Sequence, residues 1–414
     1  MIGEKKKSNL RQSMAKPFAA LKYPNFLLWF IGQLISMVGT WMQTTAQGFL
    51  VYQLTHSPAY LGYVTFASGI PTVMMLYGGV VLDRVPRRNL MIVTQTLMLI
   101  LAFVLAWLTF TGRVQVWHIL LLAFLLGIVN AFDAPARQAI VVDLVDKQDL
   151  TNAIALNSTL FQSATVVGPA VAGLIYAALG PAWCFAINGV SFVGVIAALL
   201  GMHLPPRHVR PRETTVAQEV IAGFRFLMKD SILRTLVVMI GAVGLFTTAS
   251  LTLFPAWSVT VLHGNAATNG WLQSARGLGA LIGAFTIASL GRFDWKGRLL
   301  TIGTFFFPSM LIVFALIHRL SLSLAALIAA GWGFLILVNI AGTLLQTYVP
   351  EELRGRVTGL YSLVAFGSIP IGGLAAGAMA GWIGLPSTII LGAAAMLVFS
   401  TLFYLLLPQL RRLE

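Results

Sequence analysis

From Asn25 to Pro408 the chain repeats one theme, apolar runs of twenty or more residues separated by short turns carrying Gly, Pro and charge. A helix of that length rises about 30 Å, the thickness of a bilayer's hydrocarbon core. Continuous apolarity favours helices over barrel strands, which alternate apolar and polar residues over about ten positions. Twelve runs are read, at roughly 26–53, 59–82, 89–111, 115–142, 150–179, 182–203, 231–262, 267–291, 299–317, 321–348, 354–383 and 386–407. Of 414 residues, 58% are hydrophobic and 10% charged, less than half the charged share of a soluble domain. The expected fold class is an all-α membrane protein of twelve transmembrane helices.

Charge gives an independent check. With the amino terminus in the cytoplasm, 24 of the 27 Lys and Arg residues fall inside, Arg113 and Arg319 outside, and Arg276 within a span. That sorting satisfies the positive-inside rule with both termini cytoplasmic. The net charge of +14 is thereby assigned to topology and anionic lipid contact, with no call for nucleic acid. Lys5 to Lys7 are followed by a polar stretch, so residues 1–24 read as a basic surface arm rather than a cleaved signal. Cys184 is the only cysteine, and the histidines at 56, 118, 203, 208, 263 and 318 lack metal-ligand spacing. No nucleophile–base signature or phosphate loop is present. An enzyme, a metal site and a cofactor are therefore not expected, nor is a sensor, since no soluble domain is appended.

The polar, basic stretch after His203 divides the chain. Residues 25–203 are expected to form one six-helix bundle, 204–230 a cytoplasmic linker, 231–408 a second bundle and 409–414 a tail. Within the linker, Val216, Val220, Phe224 and Leu227 share one face of a possible surface helix over Thr215 to Lys229. The halves echo each other. Asp83-Arg84-Val85-Pro86-Arg87 matches Asp294-Trp295-Lys296-Gly297-Arg298, and Leu150 to Gly180 resembles Leu353 to Gly384. Duplicated halves around a central site are a common transporter architecture.

The most specific local signal is Gly79, three residues, Asp83-Arg84, two residues, then Arg87-Arg88, after span 2. A carboxylate such as Asp83 can accept bonds from the free amides at a helix amino terminus. Span 4 carries Asn130-Ala-Phe-Asp133-Ala-Pro135-Ala-Arg137-Gln138. Asp133 lies roughly 27 Å along a helix entering at residue 115, near the cytoplasmic interface, and Arg137 at i+4 shares its face. In span 5, Gly168-Pro169 and Gly173 suit close helix packing and a bend.

These motifs resemble the major facilitator superfamily, whose loop signature reads Gly, three residues, Asp-Arg, any residue, Gly, Arg, then Lys or Arg. Pro86 stands where that family usually has Gly. The resemblance implies two pseudo-symmetric six-helix bundles alternating access. It also implies that Asp83 clips onto span 11 near Arg354, and that Asp133 lies against Arg84 or Arg87 as a gate. Proton carriage by Asp133 and a passive surface acid are the other readings. Gly168, Pro169 and Gly173 are the second half of an antiporter pattern, or ordinary packing. Asn130 to Gly173 looks like the bacterial branch that includes the enterobactin exporter and macrolide efflux proteins, with Thr165 where many relatives carry a basic residue.

Spans 1, 4, 7 and 10 line the cavity in the resembled family. Gln33, Ser36, Thr40, Gln43 and Gln47 in span 1 fall within an arc of about 80°, either a wet substrate path beside Trp41 or an interhelical hydrogen-bond seam. Asn339, Thr343 and Gln346 make a shorter face on span 10. Arg276 lies about 14 Å from the outer end of span 8, where an unpaired arginine costs at least ~2.5 kcal/mol. It either contacts an anionic or electron-rich substrate or binds backbone carbonyls. The functional expectation is a monomeric secondary exporter of a small amphipathic molecule, drug-like or siderophore-like, in the bacterial cytoplasmic (inner) membrane. Proton antiport is the expected drive, with uniport or lipid flipping as alternatives.

Overall fold

The computed structural model describes residues 18–75, 85–202, 216–291 and 294–406, apart from the side chains of residues 216, 217, 219, 248, 249 and 352. Gly79, Asp83 and Arg84, the polar linker after His203 and the tail 407–414 lie outside the described residues.

The first half comprises α1 (Pro24–Thr55), α2 (Pro58–Gly69, continued by a 3-10 turn Ile70–Met74), α3 (Arg87–Phe110), α4 (Val116–Ile140), α5 (Leu150–Leu179) and α6 (Pro181–Gly201). The linker helix is α7 (Val216–Lys229). The second half comprises α8 (Ser231–Ala242), α9 (Phe254–Thr260), α10 (Ala266–Leu290), α11 (Lys296–Leu316), α12 (Leu320–Tyr348), α13 (Glu351–Ile383) and α14 (Leu385–Leu406). The seventh span is α8 and α9 joined through π and 3-10 turns over residues 243–253. Local chemistry fixes the starts. Pro opens α1, α2 and α6 at the first turn, where its missing N–H costs nothing. Asn265 caps α10 by accepting from Ala267 and Thr268, and Asp230 caps α8 by accepting from Ile232 and Leu233.

Ten helices among the described residues are long and apolar enough to cross a membrane. Two of the twelve expected spans are missing from that set, α2 and α10. For α2 the described residues end at 75, short of a full span, while α10 is long enough but carries Thr268, Asn269, Gln273 and Arg276. Both pack against the opposite half, α2 on α13 and α10 on α5, so the polar surface of α10 meets protein. Within each half the remaining helices pack as bundles, α1 on α5 and α6, α3 on α4 and α6, and α12 on α10 and α11.

The two halves repeat in backbone detail. His56 closes span 1 at φ 50° and His263 closes span 7 at φ 51°. Gly180 after α5 and Gly384 after α13 have φ 91° and 83°, a region open to glycine because it has no Cβ. Corresponding turns of the two halves therefore share conformations, and the fold is the expected pair of pseudo-symmetric six-helix bundles. The linker helix differs from expectation in its face. Leu227 is buried and Gly223 lies against Arg356 and Leu360 of α13, whereas Phe224 points outward with Ile221 and Met228.

Candidate translocation pathway

The end of the molecule bearing Arg87, Asp143, α7 and Glu351 is called the basic end here, and its opposite the far end. The halves meet toward the far end through small residues. A Cβ on Gly270 of α10 would run into the Pro169 carbonyl and Gly173 backbone of α5, and one on Gly277 would meet Thr165. Gly62 of α2 is equally tight against Gly373 and Gly377 of α13. Ser274 Oγ donates to the Val166 carbonyl at 2.6 Å, Thr45 Oγ1 to Gln273 Oε1 at 3.3 Å, and Thr65 Oγ1 to Thr252 Oγ1 at 3.3 Å. Glycine seams of this kind let helix backbones approach where lipid offers no hydrophobic drive.

The same face of α5 changes surroundings along its length. At 100° per residue, Thr151, Ala155, Ser158, Gln162, Thr165, Pro169 and Gly173 share one stripe. Thr165, Pro169 and Gly173 are buried, Gln162 is half-buried, and Ser158, Ala155 and Thr151 are exposed. On α12, Asn339, Thr343 and Gln346 are likewise exposed toward the basic end. The halves therefore close at the far end and part toward the basic end.

The span 1 stripe lies elsewhere than a wet path. Gln33, Ser36, Gln43 and Gln47 are buried, and Gln43 Oε1 accepts from Asn188 Nδ2 of α6 at 2.6 Å. Gly39 abuts Asn188 and Ser191, and Gly32 abuts Val195 and Ala198. Glycines on α1 draw α6 close, and Gln43 finds its partner there, while the Gln33 amide nitrogen is buried without a partner. Thr40 and Trp41 remain half-buried at the edge of this seam, with Trp41 edge-on to Phe161 at 6.0 Å. Gly168 packs on Trp41, Val38 and Met42, so Gly168, Pro169 and Gly173 serve two helix contacts, one to α1 and one to α10.

Arg276 projects from α10 between these features. Its neighbour Gly277 packs on α5 and its own carbonyl lies against Gly331 of α12. The side chain is half-buried, and among the described residues no hydrogen bond or ion pair is made by its guanidinium. One turn toward the far end, Gln273 donates to Asn269 Oδ1 at 3.4 Å while accepting from Thr45. Asn269 Nδ2 is buried without a partner. Thr45, Gln273 and Asn269 were not anticipated. For Asn269 and Gln273 the signal, polar residues at i and i+4 on the same span as Arg276, was available in the sequence.

Of the two loop arginines expected against Asp133, Arg84 lies outside the described residues and Arg87 is held elsewhere. Arg87 Nη1 donates to Asp143 Oδ2 at 2.9 Å and to the Ala139 carbonyl at 2.5 Å. Asp143, ten residues beyond Asp133, is the acid near enough to the loop, so the expected pairing of Asp133 with Arg87 is replaced. Arg88 donates to the Leu199 and Leu200 carbonyls at 2.6 and 2.8 Å, a cation at the carboxyl end of α6 where the helix dipole favours it. Asp133 is fully buried. It accepts from Thr94 Oγ1 at 2.7 Å and Gln95 Nε2 at 3.0 Å, and pairs with Arg137 Nη2 at 2.9 Å. Arg137 also reaches Met37 Sδ of α1. At the basic end Lys22 pairs with Asp149 at 2.6 Å, Tyr23 donates to Asp146 and Asp149, and the Ala20 amide donates to Asn152 Oδ1. The Lys22 bond, with Tyr23, holds the Asp149 carboxyl below its ordinary value of 3.8.

Two helical bundles clasped at one end, parted at the other and carrying between them an arginine without a partner among the described residues have the architecture of a membrane transporter. The chain belongs to the transmembrane secretion effector family of the major facilitator superfamily, whose model matches residues 15–414. Similar proteins are the enterobactin exporter EntS of Shigella boydii serotype 18, 27% identical over 97% of this chain and 96% of that protein, and EntS of Shigella flexneri, 28% identical over the same shares. Among solved structures, the nucleoside transporter NupG superposes with a TM-score of 0.72 at 14% identity, covering 92% of this chain and 98% of that one. A bacterial homologue of the lysosomal transporter Spinster, described as inward-facing and unoccupied, gives 0.69 at 16%, covering 95% and 98%. The family and these relatives are transporters, not enzymes.

Proposed function

We propose that the chain exports a small amphipathic, siderophore-like or drug-like molecule across the bacterial cytoplasmic membrane by alternating access, in exchange for protons. In this reading the basic end faces the cytoplasm, with both termini there, because Lys and Arg gather on that side. The parted basic end then receives substrate from the cytoplasm while the glycine seams hold the far end shut. The observation that carries the reading is Arg276, a half-buried cation deep in the bundle without a partner among the described residues. A cation left so in hydrocarbon is expensive, and a substrate bearing anionic or electron-rich oxygens would satisfy it with charge-assisted bonds. Asn339, Thr343, Gln346, Thr40 and Trp41 supply further polar and aromatic surface along the path. The relatives' name, enterobactin exporter, supports a siderophore-like cargo.

The test is transport in proteoliposomes with two probes, enterobactin and the cationic dye ethidium. Arg276→Gln is expected to abolish enterobactin transport while the protein still reaches the membrane at wild-type level. Unchanged enterobactin transport in that variant removes Arg276 from the site. Transport of ethidium alone by the wild type replaces the siderophore-like reading with a drug-like one.

A further inference from the structure

Asp133 is the one described carboxylate that is fully buried, and its surroundings are built for two states. Among the described residues every group turned toward it is a potential donor: Thr94 Oγ1 and Gln95 Nε2 both bond Oδ1, and Arg137 Nη2 is ion-paired with Oδ2, which accepts no hydrogen bond, as suits a charged, acceptor-only carboxylate. Each of those donors also has a second arrangement within reach. The single Thr94 hydroxyl proton faces two acceptors, Asp133 and the Met91 carbonyl at 3.0 Å. Arg137 holds the Met37 sulfur of α1 as well as Asp133. Gln95, only 2% exposed, keeps its Oε1 buried without any partner, although a buried acceptor left empty is costly. A protonated Asp133 would bring one O–H into this cage, and that orphan oxygen is the acceptor it lacks.

We infer that Asp133 is the proton-binding site of the transport cycle, with Gln95 as its positioning residue. The inference rests on the proton-exchange reading above and names its carrier. When the site opens to the acidic side, a hydronium ion gives its proton to an Asp133 carboxylate oxygen. The Gln95 amide then turns end for end so that Oε1 accepts the new O–H, a rotation about a broad terminal torsion. Thr94 passes its bond to the Met91 carbonyl, and Arg137 loses its counter-ion. In the state open at the basic end the proton returns to water, leaving the carboxylate held as observed. The Arg137 side chain, 20% exposed beside a carboxylate at 0%, marks where water reaches the site.

Among the described residues other charged groups do not compete. On α3, Arg87 and Arg88 are engaged by Asp143, the Ala139 carbonyl and the end of α6. The 3-10 turn after α4 contributes Asp143 itself, and α1 contributes Met37. On α2 the described titratable groups, Tyr60 and Tyr63, lie at the far end, while Asp83 and Arg84 fall outside the described residues.

Infrared difference spectra of the purified protein in liposomes, recorded while the pH is lowered, test this without a substrate. Wild type is expected to show a protonated carboxyl band that Asp133→Asn lacks and that Gln95→Leu shifts in frequency. Coincident wild-type and Asp133→Asn spectra overturn the assignment. In parallel, enterobactin or ethidium transport by the wild type should accelerate when a pH gradient is imposed, and Asp133→Asn should lose that acceleration. An acceleration retained by Asp133→Asn removes the residue from coupling. A wild type indifferent to the gradient overturns proton exchange itself, and the inference with it. If Asp133→Asn fails to reach the membrane, Gln95→Leu decides, since a shifted pH profile supports the site and an unchanged one opposes it.

Discussion

Gln43 and Asn188 show how a single polar residue behaves once lipid replaces water. Each buries an amide, and the 2.6 Å bond between them is one membrane-helix hydrogen bond of about 0.6–2 kcal/mol. Asn188→Leu leaves Gln43 buried without its donor, so it should lower stability in detergent by about 1–3 kcal/mol. The double variant with Gln43→Leu should recover part of that loss, as read by thermal unfolding in a double-mutant cycle. Asp149 gives the residue-scale pH dependence. Its folded pKa is depressed chiefly by the Lys22 bond, so its contribution is present above 3.8 and lost as pH falls through the lower, folded value. Lys22, raised by the same bond, keeps its contribution below 10.5 and loses it as pH rises through its folded value. Hydrogen exchange at the Ala20 amide, corrected for intrinsic rate, should separate wild type from Asp149→Asn at neutral pH and converge at low pH. That polar residues on a span must face inward was legible in the sequence. Whether inward meant a neighbouring helix or a channel depended on the rotation of α1, set by Gly32 and Gly39 against α6.

At the scale of elements, helix pairs without bulk hold the halves together. The α5–α10 seam has Gly173, Gly270 and Gly277 where any side chain would strike backbone. Gly270→Leu should therefore prevent closure of the far end. A cysteine placed at Thr45, in a chain whose only native cysteine is the buried Cys184, should then react with a membrane-impermeant maleimide from outside. Equal labelling with and without Gly270→Leu would show that the seam is not the gate. The span boundaries were legible because hydropathy changes sharply at them, and α10 begins at Ala266 where residue 267 was expected. The breaks inside the seventh span were not, since π and 3-10 turns over 243–253 arise from packing against α13, where Gly241 and Gly244 meet Val364 and Ser368.

For the whole molecule, the decisive expectation is sidedness. Labels at residues 113 and 210 should report opposite faces of the membrane, because 24 of the 27 basic residues sort to one side in the twelve-span reading. Labelling of both from the same face would break the twelve-span topology and with it the assignment of the basic end.

The sequence by itself determined the solvent, the count of spans and the duplication, because hydropathy, Lys and Arg placement and repeated motifs are local properties that each stretch carries with it. Tertiary structure alone decided which polar residues are partners and which are free. It turned Gln43 onto α6, gave Arg87 to Asp143, enclosed Asp133 among Thr94, Gln95 and Arg137, and left Arg276 without a partner among the described residues. Those outcomes turn on helix rotation and on contacts between residues far apart in the chain, which spacing along one helix does not encode.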